Sequence, residues 1–245
     1  MNHDKVALVT GAARRIGASI ARELHAAGWR VLIHYRGSAD EARALVAELE
    51  SLRPRSAHLL QADLADAGAL EGLAQQAQAC WGRLDALVNN ASVYYPTPFG
   101  KISPAQFDDL AASNLRAPLL LTQACVPLMN EGSAVVNIVD ALARQPARGF
   151  TAYYAAKSGL WTLTEAMALE LAPRIRVNGV APGHMLWPEY AEMSEDEQRR
   201  ELSRVPMGRL GGAQEIARCV RFLLSEDASY MTGAVLPVDG GLRLK

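Results

Sequence analysis

VALVTGAARRIGASIARELHAAGWRVLIHY, residues 6–35, decides how this chain folds. It opens on VALVT (6–10), an apolar, β-branched run of strand length. Gly11 and Gly17 then bracket a tight turn, and in IGASIARELHAAG apolar residues recur at three and four, the period of a helix with one buried face. Gly28 marks a helix C-terminal cap, and RVLIHY (30–35) is a second apolar strand. Strands this apolar are covered on both faces. A helix between two of them makes a right-handed crossover that leaves the strands parallel.

Working outward, the alternation repeats. SAHLLQAD (56–63), ALVNN (86–90), AVVNIV (134–139), IRVNGV (175–180) and AVLPVD (234–239) read as strands, with helical patterns such as EARALVAELESL between them. The fold class expected is α/β: a single-domain, Rossmann-type doubly wound sheet of about seven mainly parallel strands with helices on both faces. One domain spans residues 1–245, interrupted by an insertion at about 184–212. Half the residues are apolar, enough for a sizeable core. Ligands of such sheets bind outside the carboxyl ends of the strands, so the residues after each strand are where chemistry is expected.

Composition excludes several classes. A net charge of −1, with Lys and Arg spread along the chain, gives no reason to expect nucleic acid or an anionic membrane surface as partner. No apolar run approaches a membrane span, and MNHDK does not read as a signal peptide. Cys80, Cys125 and Cys219 are odd in number and far apart, which predicts reduced thiols and a cytoplasmic location. The five histidines show no metal-ligand spacing, so no metal is expected.

In TGAARRIG (10–17) the turn frees helix N-terminal amides to meet a pyrophosphate. Arg14 and Arg15, before Ile16, stand where the helix dipole disfavours cations, so at least one is expected to reach an anion in the cleft. The second strand ends in HYRGS (34–38): His34, Tyr35, Arg36 and Ser38, with no carboxylate until Asp40. An NAD-specific site would place an acid there. Arg36 and Ser38 suit a 2′-phosphate instead, which predicts NADPH/NADP as cofactor. Asp63, followed by Leu64 in QADL, is placed to accept a bond from the adenine amino group.

VDALARQPARGFTAYYAAK (139–157) carries a carboxylate at Asp140, a phenol at Tyr153 and an ammonium at Lys157. Residues four apart share a helix face, so Tyr153 and Lys157 enter one cleft; Tyr154 shares that face at an offset of three. An ammonium beside a phenol favours phenolate and is expected to lower its pKa from about 10 toward the working range of a general acid.

TGAARRIG, NNAS (89–92), Asn114 in SNLRAP, Tyr153–Lys157 and APG (181–183) together resemble the short-chain dehydrogenase/reductases, from residue 5 to VDGG at 238–241. The resemblance implies a catalytic Tyr153, a Lys157 that also holds the nicotinamide ribose, and an Asn114 supporting a proton-relay water. It further implies cofactor contacts from Asn90, Ala91, Ser92, Pro182, Gly183 and Met185. The family's serine, thirteen residues before the tyrosine, is replaced by Asp140. That departure, Arg15 in place of a middle glycine, HYRGS, ASVYYPTP (91–98) and VDALARQP (139–146) are similar to the pteridine reductase branch. The implied substrate is a pterin or folate, reduced with Tyr153 and Asp140 as a coupled proton source. A carboxyl suits the N–H and ring-nitrogen groups of a pterin as acceptor or donor. By the same resemblance Tyr94 stacks the pterin against the nicotinamide, while Ser92 and Arg15 add polar contacts. Phenylalanine is usual at the Tyr94 position, and tyrosine keeps its π-face.

HMLWPEYAEMSEDEQRRELSRVPMGRLGG (184–212) is expected to form a substrate-covering lid, with His184, Met185, Leu186 and Trp187 touching the substrate side chain. SEDEQRREL has the N-cap serine and early acids of a helix start, and MGRL (207–210) is expected to pin the lid to the body. Two long apolar helical stretches, FDDLAASNLRAPLLLTQACVPLM and TAYYAAKSGLWTLTEAMALELA, predict a homotetramer interface. Two other readings compete: an NADPH-dependent carbonyl reductase of 3-oxoacyl or sugar type, and an NADPH-sensing module without turnover. Serine at 140 and glycine at 15 would have favoured the first. Retention of Tyr153, Lys157 and Asn114 argues against the second, because binding alone needs no acid.

Overall fold

The structure, a computed structural model, describes residues 5–187 and 193–244. Strands β1 (Val6–Val9), β2 (Arg30–Tyr35), β3 (Ala57–Gln61), β4 (Ala86–Asn89), β5 (Ser133–Ile138), β6 (Ile175–Pro182) and β7 (Val235–Val238) form one seven-stranded sheet in the order β3-β2-β1-β4-β5-β6-β7. Every pairing is parallel. Each of the seven expected strands is present.

The two-residue period of a strand divides the core. Ala7, Val9, Val31, Ile33 and Val88 face one apolar cluster, where helices α1 (Arg15–Ala26), α2 (Ala39–Leu52) and α8 (Ala213–Leu224) supply Ile20, Leu24, Leu45, Ile216 and Val220. Val6, Leu8, Leu32, Leu87 and Val135 face the other, against Leu73 of α3 (Ala69–Ala79), Leu121 of α5 (Ala117–Cys125) and Met167 of α6 (Thr151–Leu171). Continuous apolar strands are thus used on both faces. Gly28 follows α1 with φ 95°, its N–H donating to the His25 carbonyl, as a left-handed helix terminator does.

A buried polar ladder crosses this apolar frame. Asn89 Nδ2 donates to Thr122 Oγ1 (3.1 Å) and to Asn137 Oδ1 (2.9 Å), and Asn137 Nδ2 donates to Thr164 Oγ1 (2.9 Å). Thr164 in turn donates to the Leu160 carbonyl at 2.8 Å. The ladder joins β4 and β5 to α5 and α6.

The stretch expected as one helix before β5 is broken. Helix α4 (Pro104–Ala111), with a Ser103–Gln106 capping box, runs into a π-helical turn at Ala112–Arg116 and then α5. Pro118 stands four residues after Asn114 and has no N–H, so the Asn114 carbonyl lacks its α-helical partner. Helix α7 (Glu195–Ser203) starts on a Ser194–Glu197 capping box, where the serine was expected. Residues 188–192 of the expected lid lie outside the described residues.

Candidate active site

Strand order reverses between β1 and β4, and the clefts open there. Gly11 has φ 60°, and a Cβ on it would lie 2.9 Å from Ala91 Cα. A Cβ on Gly17 would lie 2.3 Å from the Gly11 carbonyl oxygen. Both positions therefore require glycine, one for backbone conformation and one for close packing. Asn90 fastens the two strand ends, its Nδ2 donating to the carbonyls of Thr10 (2.9 Å) and Gly11 (3.1 Å).

His34 lies beneath the turn. Its Nδ1 accepts the Gly11 N–H at 3.1 Å and its Nε2 faces the Ala62 carbonyl at 3.2 Å. Burial pushes its pKa down to about 4, so the ring is neutral with the proton on Nε2. His34, expected to contact the cofactor, is 2% exposed with both ring nitrogens engaged within the protein, and its ring props the Gly11 turn. Tyr35 is also largely buried, in the core cluster.

A cleft of about 720 Å³ extends from this turn, lined by Arg14, Ile16, Arg36, Ser38, Asp63 and Leu64 among others. Arg36 is exposed, with Nη1 4.0 Å from Asp63 Oδ1, and that same oxygen accepts the Ala65 N–H at 2.9 Å. The cradle that a Cβ would fill and the cation at its far end fit a nicotinamide dinucleotide.

A second cavity of about 590 Å³ shares Arg15, Ile16, Asn90, Ser92 and Tyr94 with the first. On its wall the Tyr153 hydroxyl donates to Asp140 Oδ2 at 3.0 Å, while Asp140 Oδ1 accepts the Leu142 N–H at 2.8 Å. Lys157, 2% exposed, donates from Nζ to the Ile138 carbonyl at 2.9 Å and lies 5.9 Å from the Tyr153 ring centre. Asp140, Tyr153 and Lys157 are therefore brought together as the spacing predicts.

Their proton affinities differ from the sequence expectation. Tyr153 is held well above the ordinary phenol value, first by burial and then by the Asp140 charge. Burial also raises Asp140, and it lowers Lys157 to about 8. The spacing locates the ammonium but not the burial, and burial wins. With both members raised, the Asp140–Tyr153 pair holds protons more tightly than either group would in water.

Asn114 is fully buried, and its side chain is committed within the protein. Nδ2 donates to the carbonyls of Val93 (2.8 Å) and Leu110 (3.0 Å), and Oδ1 accepts the Ser92 hydroxyl at 2.6 Å. Pro118, which has no N–H, denies the Asn114 backbone carbonyl its α-helical partner. Arg15 sits at φ 53°, the left-handed region, and its Nη2 donates to the Trp187 carbonyl at 3.1 Å. It spans from the glycine turn to the lid segment.

Tyr94 lies flat on Phe150 (4.7 Å between centres, 4° between planes) and edge-on to Tyr153 (4.7 Å, 70°). Phe150 and Tyr154 line the cavity and were not among the expected site residues. Phe150 is the N-cap residue of α6, outside the helix, so helical spacing does not single it out.

In the segment expected as a lid, His184 Nε2 and Glu201 Oε2 approach to 3.2 Å, without the alignment of a hydrogen bond. Leu186 is 38% exposed at the cavity mouth. The Met185 side chain turns into the core, where a Cβ on Gly211 would lie 2.3 Å from its Cε. Gly183 N–H donates to the Val238 carbonyl (3.0 Å), and the Pro182 carbonyl accepts the Ala141 N–H (2.9 Å). The 207–210 stretch is tied to the body by Met207 N–H to the Gly240 carbonyl (3.1 Å) and by Arg209 to Glu215 (2.8 Å).

The family model described as Enoyl-(Acyl carrier protein) reductase matches residues 11–243. Pteridine reductase 1 of Leishmania tarentolae is 40% identical over 98% of this chain and 96% of its own length. An uncharacterized oxidoreductase of Mycobacterium tuberculosis is also 40% identical, over 98% of this chain and 92% of its own. The 3-oxoacyl-[acyl-carrier-protein] reductase FabG of Staphylococcus aureus is 34% identical over 99% of both chains. The chain belongs to the short-chain dehydrogenase/reductase family and is an oxidoreductase that uses a nicotinamide cofactor.

Proposed function

We propose that this short-chain dehydrogenase/reductase is an NADPH-dependent pteridine reductase, taking a dihydropterin, an oxidised pterin or dihydrofolate to the tetrahydro form. The observation that carries the reading is the Tyr153–Asp140 hydrogen bond, a carboxyl where a carbonyl reductase of the family keeps a serine. The likeness to the Leishmania protein supports it. Arg36 and Ser38, with no acid at the end of β2, favour a 2′-phosphate and hence NADPH.

The reduced nicotinamide supplies hydride. The chain's own residues supply the proton. Tyr153 donates its hydroxyl proton to a ring nitrogen, and Asp140, whose burial keeps it protonated to higher pH than an exposed carboxyl, returns one to the phenolate. The Lys157 ammonium stabilises the phenolate between these transfers. Water held by the Asn114 carbonyl restores the pair. Ser92 and Arg15 orient the ring, and Tyr94 offers it an aromatic surface. The three cysteines are free, which supports a cytoplasmic location. Exposed Phe107 on α4 and Leu169 on α6 support a homotetramer built on those helices.

The FabG likeness favours a second reading, reduction of a 3-oxoacyl thioester. A panel of dihydrobiopterin, dihydrofolate, biopterin and a 3-oxoacyl thioester, followed by NADPH absorbance, decides between them. Turnover of the thioester alone refutes the pterin reading.

A further inference from the structure

The loop between β5 and α6 carries two arginines that are used differently. Arg144 serves the fold: its Nη2 donates to Glu165 Oε1 at 3.0 Å, and its guanidinium carbon lies 4.4 Å from the Trp161 ring centre. Arg148 is exposed, lines the reaction cavity and makes no hydrogen bond or ion pair among the described residues. A guanidinium on a cavity wall with no carboxylate of its own is a ready partner for an anion brought by the ligand.

The backbone beside it is anchored. Gly149, at φ 84°, turns the chain so that its carbonyl accepts the Thr97 N–H at 2.6 Å, and Thr97 Oγ1 accepts the Ala152 N–H at 3.3 Å. Phe150 lies flat on Tyr94. The residues after Arg148 are thus tied to the 94–97 segment, and its side chain alone is free to reach.

The other charges on the described wall are already engaged. Lys157 is buried and donates to the Ile138 carbonyl, and Arg15, at the end shared with the dinucleotide cleft, donates to the Trp187 carbonyl. Arg204 is paired with Glu201 at 2.8 Å, and Asp140 is bonded to Tyr153 and to the Leu142 N–H. Among the described lining residues, Arg148 is the cation that remains to be matched. At about 590 Å³ the cavity has the size that takes a drug-sized ligand. A two-ring head held at Asp140 and Tyr153 leaves room for the side chain it carries, and Phe150, Leu186 and Trp187 offer that side chain apolar surface.

We propose that Arg148 is a specificity-determining residue that pairs with a carboxylate at the far end of the substrate's side chain. The site then favours a reduced pterin with an apolar linker and an anionic tail, of the dihydrofolate kind, over one with a short neutral side chain. The inference rests on the pteridine reductase reading and selects among the substrates that reading admits.

The test compares dihydrofolate with its diamide, in which both tail carboxylates are replaced by neutral amides of similar shape. KM for each is measured with NADPH in the wild type, Arg148→Gln, Arg148→Lys and Arg204→Gln. The wild type is expected to favour dihydrofolate by about 10-fold or more, and Arg148→Gln to bring the ratio to about 1. Arg148→Lys, which keeps the charge and loses the planar fork, is expected to fall between them. Added salt is expected to shrink the wild-type ratio and to leave that of Arg148→Gln in place. Arg148 is exposed and unbonded, so its replacement breaks no contact of the fold. An equal ratio in the wild type and Arg148→Gln overturns the proposal. So does a ratio lost in Arg204→Gln and kept in Arg148→Gln, which would seat the tail on α7.

Equilibrium binding of folate and its diamide to the NADP-loaded protein, read by tryptophan fluorescence, gives the same ratio without turnover. If no pterin is reduced and folate is still preferred through Arg148, the functional reading fails and the tail site stands. If pterins are reduced with no such preference, the tail site alone fails. If neither folate nor its diamide binds and no pterin is reduced, both fail.

Discussion

The Tyr153 hydroxyl and the Asp140 carboxylate, thirteen residues apart in the chain, meet at 3.0 Å across the cavity wall. If they act as one proton source, removing either should cost turnover rather than binding. Tyr153→Phe is expected to lower kcat with dihydrobiopterin by about 100- to 10,000-fold, and Asp140→Ser by a comparable factor. Steady-state assays with NADPH check this; wild-type rates in both variants would end the mechanism.

Lys157 must be an ammonium to stabilise the phenolate, and burial lowers its pKa to about 8. The charged form predominates below that value and is lost above it. Turnover is therefore expected to fall as pH rises through about 8, and Lys157→Met to be nearly inactive at every pH. A profile flat from 7 to 9 would contradict the assignment.

Arg36 stands exposed at the far end of the dinucleotide cleft. Its charge-assisted bonds to a 2′-phosphate are worth about 1.5–3 kcal/mol. Arg36→Ala should then raise the KM for NADPH about 10- to 100-fold while sparing NADH. An unchanged preference refutes the 2′-phosphate assignment.

Arg15 adopts φ 53°, a conformation that costs a residue with a Cβ about 1 kcal/mol. Arg15→Gly is expected to stabilise the fold by up to about 1 kcal/mol in urea unfolding while raising the KM for pterin. Loss of stability together with unchanged KM would show that the side chain serves the fold alone.

Burial raises Asp140 above its unfolded-state pKa, so the native chain binds more protons than the unfolded one in that window. Its contribution to stability is present below the unfolded value and is lost as pH rises through the folded one. Asp140→Asn should therefore have a higher Tm than the wild type at pH 8, with the difference shrinking as pH falls toward 4. Thermal melts across pH check the sign.

The fold was legible because each strand is apolar without interruption and each helix patterned on one face, so local period and burial agree. The trio at 140, 153 and 157 was legible because helix geometry alone brings the last two together. What spacing does not carry is environment. The high proton affinity of Tyr153 comes from burial, and the partners of Arg15 and His184 come from lid residues distant in sequence. The π-turn at Asn114 could have been read from Pro118, whose missing N–H falls four residues on.

The Asn89–Asn137–Thr164 ladder fastens the helix that bears Tyr153 and Lys157 to the centre of the sheet. Apolar contacts alone would tolerate a small slide of that helix along its groove; directional bonds between amides and hydroxyls do not. Sequence drift among apolar positions can therefore proceed without disturbing the aim of the phenol, so long as these three polar side chains persist.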